Sequence, residues 1–242
     1  ALHYPFGMGE TAENVAKQWK IGREEQDEFA FNSQQKYAAA KAANKWDDEI
    51  AAVELNNKGM ISWIVYDEHP RATSLEKLGT LKPAFIKNGT VTAGNSSGIN
   101  DGSAAMLLAS EEAVKKYNLS PLAKVTSMAV AGVDPAIMGI GPVPATQKAL
   151  QRAGLKINDI GMIELNEAFA SQSIACIRDL RLDSKKVNVN GGAIALGHPL
   201  GCSGVRIATT LLHEMQKEDV RYGLATMCVG VGQGAAVIFE KV

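Results

Sequence analysis

From residue 121 onward, short apolar runs alternate with stretches of helical length. AKVTSMAVAGV, GMIELN, KVNVN, YGLATMCV and GAAVIFEKV are rich in Val, Ile and other apolar residues and read as strands. PATQKALQRAGL, EAFASQSIACIRDL and SGVRIATTLLHEMQKE place apolar residues at helical spacing and read as helices. Strands alternating with helices predict an α/β architecture, a mixed, mostly parallel five-stranded sheet covered by helices on both faces.

Upstream the texture differs. SAAMLLAS, apolar at nearly every position, reads as a further strand, and EEAVKKYN as a short helix. Residues 11–44 read as two helices: TAENVAKQWKI, capped by Thr11, and after Gly22 a segment rich in Ala, Gln, Glu and Lys. Residues 45–98 read as irregular, with short strands near ISWIVYDE and TVTAG and a turn at His69-Pro70. No repeat or low-complexity segment is visible.

Composition narrows the function classes. With 46% hydrophobic residues, the 242-residue chain can bury a substantial core. A net charge of −1 argues against a general electrostatic grip on nucleic acid or anionic membrane. No apolar run reaches membrane-spanning length. Cys176, Cys202 and Cys228 are scattered and odd in number, which fits neither a disulfide framework nor a zinc site. They point to a reducing, cytoplasmic compartment. The opening ALHYPFGMGETAENVA reads as neither a secretory leader nor an initiator-methionine start, so a processed chain or a fragment is expected.

In open α/β sheets ligands bind beyond the carboxyl ends of the strands. Asn166 of LNEAF, His198 of GGAIALGHPLGCSG and Cys228 of CVGVGQG each follow a predicted strand, and they are expected to converge. His198 is either a base and oxyanion donor or a loop-tying histidine. Cys228 is either a nucleophile or acid–base group, or a small buried hydrophobe. Asn166 reads as an amide able to hold a water, and Glu167 as a cap for the next helix. Cys176 and Cys202 read as packing. GNSSGINDG is either a phosphate or pantetheine cradle, through Ser96, Ser97 and backbone N–H groups, or a tight turn. The G-x-G-x-G after Cys228 lies between two strands and is no dinucleotide fingerprint.

Taken together and in order, MGETAENVA, TVTAGNSSGINDG, GVDPAIMGIGPVPA, LNEAFA, GGAIALGHPLGCSG and CVGVGQG resemble the thiolases, the acyltransferases that cleave or form 3-ketoacyl-CoA. Related ketoacyl synthases carry histidines where thiolases carry the NEAF asparagine and the C-terminal cysteine; here those positions are Asn166 and Cys228. The resemblance implies a thiolase-like fold and a set of roles. His198 is the base that activates an acyl-accepting cysteine and, with a water on Asn166, binds the thioester oxygen. Cys228 moves the proton at the α-carbon. The Gly230 N–H forms part of a second oxyanion hole. Ser97 and Met8 contact the pantetheine, Ala93 is a further substrate- or CoA-binding position, and Phe85 and Arg71 lie near the adenine end of CoA. Met138, Ala168 and Phe169 line the acyl pocket. CoA thioesters are then substrates, with no further cofactor or metal, and a homo-oligomer (dimer or tetramer) is expected.

Two departures qualify the resemblance. The family's nucleophilic cysteine belongs to an N-terminal C-x-x-x-S-G motif, and no cysteine here precedes Cys176. The chain therefore resembles the C-terminal portion of a thiolase, unable alone to form an acyl-enzyme. Residues 1–98 correspond to most of the loop domain, 99–120 to the last strand and helix of the N-terminal half, and 121–242 to the C-terminal domain. The 99–120 segment is expected to rearrange, or to drive self-association, without its sheet neighbours. Secondly, Gly7 stands where short-chain biosynthetic thiolases carry histidine, which points to a degradative parent of broader or longer-chain preference. The alternatives are a non-catalytic CoA- or lipid-binding relative and an interaction subunit; the joint presence of Asn166, His198 and Cys228 speaks against pure binding.

Overall fold

The computed structural model describes residues 6–242; residues 1–5, part of the opening stretch discussed above, lie outside it. The order is α1 (Met8–Gln18), α2 (Arg23–Ala42), β1 (Val53–Asn57), β2 (Met60–Ile64), α3 (Leu75–Gly79), α4 (Glu111–Tyr117), β3 (Ala123–Gly132), α5 (Pro142–Ala153), β4 (Met162–Leu165), α6 (Ala170–Leu180), α7 (Ala193–Leu196), α8 (Ser203–Lys217), β5 (Tyr222–Val229) and β6 (Gln233–Lys241). Among the described residues no helix is long and apolar enough to cross a membrane.

The main sheet has the order β3-β6-β5-β4. β3 and β5 flank β6 antiparallel, and β4 runs parallel to β5. Period-two alternation sorts the side chains to two faces. Ile163 and Leu165 of β4 and Leu224 of β5 pack with α5 and α6. Met162 and Ala225 pack with Ile207, Leu211 and Met215 of α8 on the opposite face. Because both faces are covered, β4 is buried at every position. Burying one such Leu or Ile contributes about 1.5–3 kcal/mol.

Helix α6 is enclosed on more than one side. Cys176 and Leu180 face the sheet core, whereas Ala170, Ile174 and Ala175 meet Val15 of α1, Ala30 of α2 and Ile194 of α7. Its run of Ala and Ser allows that close approach. α2 adds Tyr37 and Ala40 to a smaller cluster with Trp46, Ala195 and Leu196. The glycine-rich loop is thereby gripped between α2 and the sheet.

Several expectations are corrected. Helix α1 begins at Met8 behind Gly7, not at a Thr11 cap; the Thr11 hydroxyl instead donates to the Met8 carbonyl. SAAMLLAS forms no strand: residues 101–110 are irregular, Met106 packs against the α8 cluster, and Leu107 and Leu108 are 78% and 75% exposed. An apolar run becomes a strand only where a ladder partner exists, and none of the described strands pairs with it. KVNVN contributes only a parallel bridge between Val187 and Ile163, so the continuous sheet has four strands rather than five, and it is not mostly parallel: of its pairings only β4 with β5 is. The Asn188 side chain takes over the ladder there, accepting from Leu165 N and donating to Leu165 O, both at 2.8 Å. TVTAG supplies a lone bridge from Thr92 to Pro83. The strand expected near ISWIVYDE is β2, half of a hairpin whose turn uses left-handed Lys58 and Gly59.

One contact fixes where β6 meets α5. A Cβ on Gly234 would lie 2.0 Å from both the carbonyl carbon and the oxygen of Gly141, at the start of α5. Gly234→Ala should therefore force backbone apart and cost about 3 kcal/mol. Gly230→Ala, whose Cβ meets nothing within 4 Å, is the control. Urea midpoints that moved equally for the two variants would contradict this packing account.

Candidate active site

Parallel β4 and β5 end side by side, with Asn166 directly after β4 and Cys228 one residue before the end of β5. The register pairs Leu165 with Thr226, and Asn166 N continues it by donating to Thr226 O. Asn166 is fully buried, and its Nδ2 lies 3.3 Å from His198 Nε2. Its Oδ1 is buried without a hydrogen-bond partner. Cys228, two residues beyond Thr226, packs with Met138, Ala168 and Phe169, together with Ala12 and Val91. Asn166, His198 and Cys228 are thus brought to one end of β4 and β5, and the expected pocket residues Met138, Ala168 and Phe169 share a buried cluster with Cys228.

His198 is held from three directions. Its backbone N–H is shared between Gly98 O at 3.1 Å and Asn100 Oδ1 at 3.2 Å. Its Nδ1 lies 2.6 Å from Ser203 Oγ. Gly197 precedes it at φ +96°, where a Cβ would strike the Asn100 amide at 2.3 Å. A glycine is needed at that bend both for its backbone and for the Asn100 contact. Burial, and secondarily the Arg206 cation, lowers the imidazole pKa from its usual value and favours the neutral ring. Burial pushes the Cys228 thiol up to about 12, so it is protonated in neutral solution and suited to giving a proton.

Glu167 does not cap α6. That role falls to Gln172, whose Oε1 accepts from Phe169 N. The buried Glu167 carboxylate accepts from Ser33 Oγ (2.6 Å), Asn188 Nδ2 (2.8 Å) and Ile194 N (3.2 Å). It joins α2, the Asn188 turn and α7 behind the loop that carries His198. Gly192 lets the carboxylate come close, since a Cβ there would lie 2.2 Å from its carbon.

GNSSGINDG forms a strap rather than an isolated turn. Ala170 N donates to Asn95 O, Ser96 bridges Phe169, and Ile99 bridges His198. Ser97 donates both its N–H and its hydroxyl to Ala168 O, at 3.0 and 3.1 Å. Phe85 stands edge-on to Phe169, with centroids 6.0 Å apart, and lies over Gly9 next to Met8. Arg71 is exposed, with its backbone N–H on Gln34 Oε1. Ala93 is exposed, and Gly230 is half-buried in the turn after β5. Cys176 is buried inside α6 with its thiol toward Gly139 O, and Cys202 is half-buried before α8. Ser203, Asn100 and the hub role of Glu167 carry no spacing signal, because their partners become neighbours only in the fold.

Residues 119–241 match the family model described as Thiolase, C-terminal domain, and residues 2–112 that described as Thiolase, N-terminal domain. The chain is 56% identical to the 3-ketoacyl-CoA thiolase of Photobacterium profundum, across 97% of this chain and 62% of that protein. The Bacillus anthracis acetyl-CoA acetyltransferase structure superimposes with a TM-score of 0.96 at 47% identity, covering 100% of this chain and 61% of that one. Human mitochondrial 3-ketoacyl-CoA thiolase in complex with CoA gives 0.91 at 49% identity, covering 98% and 59%. The chain therefore spans about three fifths of the length of these proteins.

Proposed function

The chain belongs to the thiolase family, and on that premise we propose that Asn166, His198 and Cys228 perform the proton chemistry of 3-ketoacyl-CoA cleavage and of its reverse, the Claisen condensation. The observation that supports this best is a neutral-favouring imidazole against a buried amide, at the same strand ends as a thiol held protonated. A base and an acid of separated proton affinity are what the reaction requires.

In cleavage, His198 Nε2 takes the proton of an acyl-accepting thiol, and the thiolate adds to C3 of the 3-ketoacyl-CoA. The C2–C3 bond breaks, its electron pair going to C2, and the acyl group stays on sulfur. Cys228 protonates C2, and acetyl-CoA leaves. The thiol of a fresh CoA returns a proton to Cys228, its sulfur takes the acyl group, and the departing thiolate recovers its proton from His198. Donors aimed at the developing oxyanions lower both barriers; Gly230 N–H and the Asn166–His198 pair are assigned that work. Met8, Phe85, Ser97, Ala93 and Arg71 are assigned to CoA. The division at 98 and 120, a cytoplasmic location, assembly into homo-oligomers and a broad or longer-chain degradative preference belong to the same reading.

None of this chain's cysteines is placed as the acyl acceptor. Cys176 is sealed in α6, Cys202 precedes α8, and Cys228 is committed as the acid. The 242-residue polypeptide alone should not consume acetoacetyl-CoA in the presence of CoA, followed by loss of the enolate absorbance. Joined to the cysteine-bearing segment of a full-length relative, it should turn over. Activity of the chain by itself would mean that the nucleophile has been misassigned.

A further inference from the structure

We propose that Ser203 is a positioning residue that holds the proton of neutral His198 on Nδ1, leaving Nε2 without a proton and its lone pair on the Asn166 amide. The hydrogen-bond count carries this. Ser203, 1% exposed, opens α8, and its Oγ lies 3.0 Å from Pro199 O and 2.6 Å from His198 Nδ1. A hydroxyl has a single proton to give. If it goes to the Pro199 carbonyl, the oxygen accepts from Nδ1–H, and Nε2 accepts from Asn166 Nδ2; all three contacts are then bonds. If it goes instead to Nδ1, the hydroxyl contact to Pro199 O loses its proton and that carbonyl keeps only the backbone N–H groups of Cys202 and Ser203. Nε2–H then needs the Asn166 amide reversed, and only two bonds remain. Buried polar groups settle in the arrangement that satisfies most of them, and the hydrogen bond made by one ring nitrogen sets the state of the other. The catalytic meaning rests on the function proposed above; the tautomer does not.

The test is ¹⁵N NMR of the imidazoles in the 242-residue chain labelled at its four histidines, with His198 assigned by its loss in His198→Gln. A pyrrole-type Nδ1 and a pyridine-type Nε2 are expected. Ser203→Ala should move the neutral ring toward the Nε2–H form that free histidine prefers, and Ser203→Thr, which keeps the hydroxyl, should restore the original pattern. An Nε2–H signal in the unsubstituted protein overturns the proposal, whatever the variants do. So does an unchanged His198 spectrum in folded Ser203→Ala. In an enzyme of full length, Ser203→Ala should lower kcat by about tenfold with little change in KM. A tautomer that shifts while kcat stays constant would leave the positioning intact and remove His198 from the role of base.

Discussion

His198→Ala, placed in a thiolase of full length, is expected to reduce kcat/KM for acetoacetyl-CoA cleavage by about 10²–10⁴-fold, the range for loss of a positioned general base. The variant loses the acceptor for the nucleophile's proton and one side of the Asn166 contact, while Ser203 and Pro199 stay hydrogen-bonded to each other. The pH profile separates these effects from misfolding. Only the neutral imidazole accepts a proton, and burial holds its pKa below the usual histidine value. The unsubstituted enzyme should therefore keep its activity through the range where an ordinary histidine becomes charged, and lose it only at more acidic pH. In the variant that acid limb should vanish with the bulk of the rate. A profile that keeps its limb would place the titrating group elsewhere.

The second large effect is on stability. Glu167→Ala should destabilise the chain by about 4 kcal/mol, because it strands three buried donors at about 1–3 kcal/mol each before relaxation. The Ser33 hydroxyl, one of the two Asn188 amide protons and Ile194 N–H lose their acceptor, while the other amide proton keeps Leu165 O. Glu167→Gln should recover only part, since one of its atoms turns from acceptor to donor and faces groups that already donate. Denaturant unfolding, followed by far-UV circular dichroism, measures both. A loss under about 1 kcal/mol for the alanine variant would show that α2 and the glycine loop do not depend on this carboxylate.

Much of the fold beyond residue 121 is legible from periodicity because both faces of β4 and β5 are covered and their apolar runs are unmixed. The same logic misleads at SAAMLLAS, where the run is apolar but unpaired, and at KVNVN, where one asparagine side chain does the work of a ladder. Asn166 and Cys228 of the candidate site can be found because they stand at the ends of β4 and β5, whereas His198 follows α7 and the strand expected before it is a single bridge. The residues that support them cannot be found so. Ser203 follows His198 by an interval with no structural period, Asn100 reaches the loop across 98 positions, and the partners of Glu167 come from α2, the Asn188 turn and α7. Such roles arise from tertiary contact, and local pattern is blind to them.

The order of the sheet also bears on how the protein is made. β3 has β6 as its sole sheet partner among the described strands, and Ala123 pairs with Lys241, roughly a hundred residues later. At translation rates of about 5–20 residues per second, the earlier strand waits on the order of 5–20 seconds for its mate. During that interval Met128 and Val130, 65% and 67% exposed even in the finished sheet, have no ladder to enter. Closure of the sheet is non-local and correspondingly slow. Cys228 pairs with Gly234 of that same strand, so its place in the sheet is secured only once β6 has been made.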